Sequence, residues 1–144
     1  INAGFSKQDP WLPINQNYKS INVQDESSYP HSFLNLYKRL SDLKKSHPCL
    51  LDGSFSFINS SNPSILAFER KKDDKTLLIL LNFANKTEKF ISTYKHGKIL
   101  CDSQLCQTSM RIDCSSYDFN PLTGYIIELT DDPLLTASVR NGPS

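Results

Sequence analysis

The spacing of apolar side chains in this chain changes once, near Gly53, and that change divides what the sequence can fold into. Across residues 28–45, "SYPHSFLNLYKRLSDLKK", Phe33, Leu36, Tyr37, Leu40 and Leu43 recur at intervals of three and four, the spacing of one helix face. Pro30 suits a first-turn position, where its missing N–H has no partner to lose, and Ser28 is placed to cap the free N–H groups ahead of it. Arg39, Lys44 and Lys45 complement the negative end of a helix dipole, and Pro48 stops the helix. The spacing predicts one amphipathic helix.

Beyond Gly53 the period becomes two and the segments shorten. Residues 55–58, 65–70, 76–83, 88–92, 98–102, 110–113 and 124–129 read as strands, separated by turn signals at 59–63, 72–74, 96–97 and 120–121. "TLLILLNF", residues 76–83, is apolar at both odd and even positions and is expected to be a central strand covered on both faces. Short strands at this spacing suggest a β-sandwich. Residues 131–144 carry two prolines, a glycine and no period, and are expected to be a flexible tail. A lone helix ahead of a sandwich must lay its apolar stripe on something, and residues 1–27 offer no sheet. Either the strands after Gly53 receive it or its partner precedes Ile1, and an Ile where a start Met would stand favours the second expectation.

A chain of 144 residues can bury a core without metals or disulfides. The formal net charge of +1 gives no reason to expect nucleic acid or an anionic membrane as a partner. The densest basic cluster, Arg70-Lys71-Lys72, runs into Asp73-Asp74 and neutralises itself, as a solvated turn does. The longest unbroken apolar run, residues 77–81, is far short of the roughly 20 residues that a membrane-spanning helix needs. Ile1-Asn2-Ala3 has no signal-peptide pattern, so a secreted protein would carry its signal upstream. Two glycosylation sequons, at Asn59 and Asn85, fall in predicted turns beside a count of four cysteines, which favours an extracellular or lumenal setting. There Cys101 and Cys106 can close a short disulfide loop, although four cysteines allow three pairings and sequence does not choose among them.

Reactive constellations are sparse. His31, His47 and His96 are scattered; Cys101, Cys106, Cys114 and His96 can in principle surround zinc, but the C-x4-C gap is wider than a zinc knuckle, and disulfide or buried thiols are the expected alternative. No metal and no cofactor are expected. Neither a G-x-S-x-G elbow nor an H-E-x-x-H pair is present, and five glycines leave little for a phosphate-binding loop. Glycoside chemistry needs two carboxylates about 5–10 Å apart facing one sugar, whereas the adjacent acids Asp25-Glu26, Asp73-Asp74 and Asp131-Asp132 read as solvated turns. Trp11 and Tyr18 can stack on a sugar ring, although aromatics in a proline-rich loop more often serve packing. The residues by themselves assign no activity.

Longer motifs carry a resemblance. Asn2-Ala3-Gly4-Phe5-Ser6, Pro10-Trp11-Leu12-Pro13-Ile14-Asn15, Asn17-Tyr18 and Ile21-Asn22-Val23 are similar to a run much like N-A-G-F-S/T-x-x-x-P-W-I/L-P-V-N-P-N-Y-x-x-I-N-V. That run stands late in the catalytic barrel of α-glucosidases and oligo-1,6-glucosidases of the α-amylase superfamily (glycoside hydrolase family 13). Tyr37-Lys38-Arg39-Leu40-Ser41-Asp42-Leu43-Lys44 resembles the family helix motif Y-K-K-L-I-x-L-R, with Lys44 where the family usually has Arg, and residues 62–70, 75–83 and 122–129 resemble later family segments. Gln16 stands where the family usually has proline, as does Gly124.

The resemblance implies a fold class and a division of the chain: residues 1–52 as the end of a (β/α)8 barrel, a loop plus its closing helix, and 53–130 as a C-terminal antiparallel β-sandwich. It implies a retaining α-glucosidase acting on oligosaccharides, in which an Asp nucleophile, a Glu acid/base and a second Asp all come from strands earlier in the chain. No catalytic residue is then expected here, and Trp11 and Tyr18 become candidates for the substrate rim. The same architecture serves the ectodomain of non-enzymatic amino-acid transporter heavy chains, which is the alternative reading. A free-standing sugar-binding sandwich is a third.

Overall fold

The structure, a computed structural model, describes residues 2–106 and 109–130. The tail expected over 131–144 lies outside the described residues. After short 3₁₀ turns at Asn2–Gly4 and Gln16–Lys19 come three helices, α1 (Val23–Ser28), α2 (Phe33–Ser46) and α3 (Pro48–Asp52). Among the described residues eight strands follow: β1 (Ser54–Ile58), β2 (Ile65–Lys72), β3 (Lys75–Asn82), β4 (Glu88–Ile91), β5 (His96–Asp102), β6 (Arg111–Asp113), β7 (Ser116–Phe119) and β8 (Gly124–Thr130).

The helical segment departs from the expected single helix. Ser32, not Ser28, is the N-cap of α2: its Oγ accepts from Asn35 N at 3.2 Å and donates to Glu26 O at 2.6 Å. Ser28 ends α1, a helix that the apolar spacing did not predict, and Pro30 lies in the link between α1 and α2 rather than in a first turn. The reason is local. Asn22 accepts from Asp25 N at 3.0 Å, and Asp25 and Glu26 sit in the first turn of α1, where acids meet the exposed N–H groups. Pro48 does follow the end of α2 but immediately opens α3 as its first residue, using the N–H it lacks.

The strands form a six-stranded antiparallel sheet in the order β1-β2-β3-β8-β5-β6, and β4 and β7 pair separately. β3 is central and buried on both faces, as its composition requires. One face of the large sheet meets β4 and β7: Ile65, Ala67, Leu78, Leu80, Ile99, Tyr125 and Ile127 pack with Phe90 and Phe119. Phe119 and Tyr125 meet edge-on with ring centroids 4.8 Å apart. The other face carries the helices, with Leu43 and Cys49 on Leu77, Ile79, Leu100 and Cys101, and Leu36 beside them. The Arg39 guanidinium donates from Nη2 to Leu100 O at 2.9 Å, where the β5–β8 register shifts between Ile99 and Cys101.

Gly53 joins α3 to β1 with no room to spare. A Cβ there would lie 2.5 Å from Cys49 O and 2.9 Å from Lys71 O, both backbone atoms that cannot swing aside. Gly53→Ala is expected to cost about 2 kcal/mol through forced overpacking, read as a lower urea midpoint with an unchanged slope.

Alkali should loosen the fold for a stated reason. Burial pushes the Cys114 thiol up to about 12 from 9.0. Burial, followed by the hydrogen bond from Tyr94 Oη to Glu69 Oε2 at 2.6 Å, pushes the Tyr94 phenol up to about 12 from 10.0. Above pH 9 the unfolded chain therefore holds fewer of these protons than the folded one, so stability present below pH 9 falls as pH rises towards 12. Thermal melts across that range, with spectrophotometric tyrosine titration, would show it; a flat melting profile would contradict it.

Candidate functional site

Residues 2–22 form a loop with few hydrogen bonds to other described parts of the chain. Asn2 Nδ2 donates to Ser6 O at 3.1 Å and Gln8 O at 2.8 Å, closing a tight turn through Ala3 (φ 49°) and Gly4 (φ 81°). Further on, Asn15 Oδ1 accepts from Asn17 N and Asn22 Nδ2 donates to Tyr18 O, so asparagines fold the loop back on itself. Between these turns lies a cavity of about 710 Å³ whose walls include Phe5, Trp11, Ile14, Tyr18 and Ile21.

The structure brings Trp11 and Tyr18 together on this one cavity. Trp11 is 90% exposed, whereas Tyr18 is half-buried with the Lys19 ammonium 6.0 Å from its ring centre. The cavity lining holds one carboxylate, Asp9, where retaining glycoside chemistry uses a facing pair. Asp25 and Glu26 are committed to α1, and Glu26 Oε2 accepts from Leu34 N at 3.3 Å, so they are helix-start acids rather than turn acids. Asp73, at φ 54°, forms the β2–β3 turn with Asp74; Asp131 and Asp132 lie outside the described residues.

The other candidates are dispersed. Asn59 and Asn85 are both exposed, in the β1–β2 loop and the β3–β4 turn, and a hydrogen bond from Asn62 Nδ2 to Glu88 Oε2 at 2.6 Å ties those two connections together. The candidate pair Cys101 and Cys106 is not bridged in this structure, where all four cysteines are free thiols. Cys101 lies buried beneath α2, where burial raises its pKa against the opposing pull of Arg39. Cys106 is exposed on the following turn, with its Sγ 3.9 Å from His31 Nδ1. Cys114 is buried within the sandwich core, and among the described residues no three His, Cys, Asp or Glu side chains gather as metal ligands would.

A further feature is an exposed apolar surface. On the helix-bearing face of the sheet, Phe55 (51% exposed), Phe57 (71%) and Leu66 lie beyond the cover of α2 and α3, with Phe55 and Phe68 centroids 5.1 Å apart. The apolar stripe of α2 divides: Leu36 and Leu43 reach the sheet, while Phe33 (85% exposed) and Tyr37 (72%) face away from it. Alternate phenylalanines in the first strand were the available signal for this surface, and reading them only as strand period missed it. Phe5, Leu12, Ile21 and Val23 add exposed apolar area on the loop and α1.

Two consecutive stretches of the chain match known families. Residues 1–53 match the family described as "Alpha amylase, catalytic domain", and residues 55–97 match "Maltogenic Amylase, C-terminal domain". An oligo-1,6-glucosidase of Parageobacillus thermoglucosidasius is 37% identical over 89 residues, covering 62% of this chain and 16% of that protein. The crystal structure of a trehalulose synthase from Pseudomonas mesoacidophila superposes with a TM-score of 0.76 at 28% identity, over 90% of this chain and 23% of that one. An isomaltulose synthase of Erwinia rhapontici, solved in complex with sucrose, superposes with a TM-score of 0.74 at 27% identity over 90% of this chain and 23% of its own. The chain thus spans about a sixth of the curated relative and about a quarter of the solved structures.

Proposed function

Since the chain belongs to the α-amylase superfamily, we propose that it forms the C-terminal part of a retaining α-glucosidase that releases terminal α-linked glucose from short oligosaccharides. Residues 1–52 then supply a rim loop and the closing helix of the catalytic barrel, and 53–130 the sandwich beside it. The observation that carries this reading is the half-covered, helix-bearing face. Aromatic groups such as Phe33 and Tyr37 remain in water at about 25 cal/mol per Å² of apolar area, a cost that a neighbouring barrel would remove. The loop cavity, with Trp11 and Tyr18 on its wall, would lie where barrel enzymes place their sites, at the ends of the strands.

The chemistry would run on acids supplied by the rest of the barrel: an Asp attacking the anomeric carbon, and a Glu that first protonates the leaving oxygen and then activates water. The chain's own contribution would be to close the barrel and shape its mouth. Relatives that are glucosidases favour hydrolysis over the transporter-subunit reading. Exposed sequons at Asn59 and Asn85 support an extracellular glycoprotein; a mass unchanged by endoglycosidase would argue against that part.

Glucose release from isomaltose and maltose tests the whole. The product of the complete gene should hydrolyse at least one, and the 144-residue chain alone neither. Activity in the isolated chain, or none in the complete product with its acids intact, would overturn the proposal.

A further inference from the structure

The two edges of the six-stranded sheet are built differently. β6, at one edge, is three residues long and carries Arg111 and Asp113, charges of the kind that keep an edge from pairing with another chain. β1, at the other edge, reads Ser54-Phe55-Ser56-Phe57-Ile58. It has no charge, no proline and no bulge, and beyond its ladder to β2 it pairs with no strand among the described residues. All five positions are at least partly exposed. Its two phenylalanines project on the same face, stacked edge to face at 4.9 Å.

The sequence of this strand is nearly its own antiparallel complement. Turned about a two-fold axis through Ser56, Phe55 comes opposite Phe57 of a second copy, Phe57 opposite its Phe55, and Ser54 opposite its Ile58. Antiparallel pairing preserves the faces of a sheet, so four aromatic rings would gather on the helix-bearing face, and the open backbone groups of both edges would be satisfied. A register shifted by one residue would set phenylalanine opposite serine and send the phenylalanines of the two copies to opposite faces, so the pairing specifies its own alignment. The edge-to-face rings at 87° do not make the flat platform that a sugar ring stacks on, which disfavours a carbohydrate as the occupant.

We propose that β1 is a homodimerisation edge, joining the large sheets of two copies of this chain into one continuous sheet through an isologous contact centred on Ser56. The contact uses the edge of the sheet and stands independently of the hydrolase assignment.

Sedimentation velocity of the protein over a wide concentration range, with hydrogen exchange of residues 54–58, tests it. A monomer–dimer equilibrium is expected, with β1 amides more protected as concentration rises. Ser56→Lys sets two ammonium groups opposite each other on the axis and should weaken the dimer at least about tenfold. Ser56→Thr, which suits an exposed strand, should retain it and controls for folding. The double variant Phe33→Ser/Tyr37→Ser should leave it unchanged. A protein that stays monomeric overturns the proposal, and so does protection of β1 that does not vary with concentration, which would mean that another segment of the same molecule covers the edge. Self-association that survives Ser56→Lys, or that is lost only in the Phe33/Tyr37 variant, also overturns it and assigns association to the α2 face.

Discussion

Replacing Asn82 with alanine is expected to lower the unfolding free energy by about 3 kcal/mol, seen as a fall of about 10 °C in melting temperature. Asn82 is 4% exposed, at the end of β3. Its Nδ2 donates to Lys86 O at 3.0 Å, Asn120 O at 2.9 Å and Phe119 O at 3.2 Å, while its Oδ1 accepts from Ala84 N at 2.9 Å. One side chain thus ties the β3–β4 turn to the β7–β8 connection, holding the two-stranded sheet over the core. Alanine would leave several backbone groups without partners in a place water reaches poorly. Asn82→Asp is expected to be worse, because a carboxylate can still accept from Ala84 N but would face three carbonyl oxygens. Calorimetry on both variants checks this; a loss under about 1 kcal/mol for alanine would mean that water replaces the amide.

Truncating Leu43 should produce a loss of similar size but different distribution. Leu43 is 4% exposed and is the α2 residue set deepest on the sheet, against Cys49, Leu77, Ile79, Leu100 and Cys101. Leu43→Ala removes buried methyl groups and leaves a cavity, a change that costs about 2–5 kcal/mol in comparable cores. Leu36 lies at the margin and Phe33 and Tyr37 face away, so among the described residues the helix is otherwise tied to the sheet side by the Arg39 bond to Leu100 O and, just ahead of its N-cap, by the His31 ring against Gln104 O at 2.9 Å. Amide exchange should therefore accelerate first in α2 and α3, with the amides of β4 and β7, on the opposite face of the sheet from Leu43, changing least. Uniform acceleration through all strands would show instead that the two cores open together.

Much of the sandwich was legible because alternation and turn residues act locally. "TLLILLN" declares a strand with two buried faces, and the seven expected strands form with ends moved by only a few residues. β7 was not foreseen: "SYDF" is four residues long, directly follows the 114–115 turn, and gains its place from pairing with the distant β4 and from the Phe119–Tyr125 contact. The start of α2 was misplaced because Ser28 and Ser32 are equally plausible caps in sequence. What separates them is the bond from Ser32 Oγ to Glu26 O, which exists only once α1 has formed. The family relationship was legible in the first 23 residues and the helix that follows. The exposed face was not, since apolar periodicity reports that a side chain seeks cover but not which body provides it.

That face is where the account is most directly exposed to test. Hydroxyl-radical footprinting should compare Trp11, Phe33 and Tyr37 in the isolated 144-residue chain with the same residues in the product of the complete gene. Strong labelling in the first, with protection of Phe33 and Tyr37 in the second, is the predicted result. Equal labelling of all three in both would mean that no catalytic barrel rests against this helix, and the account would fail.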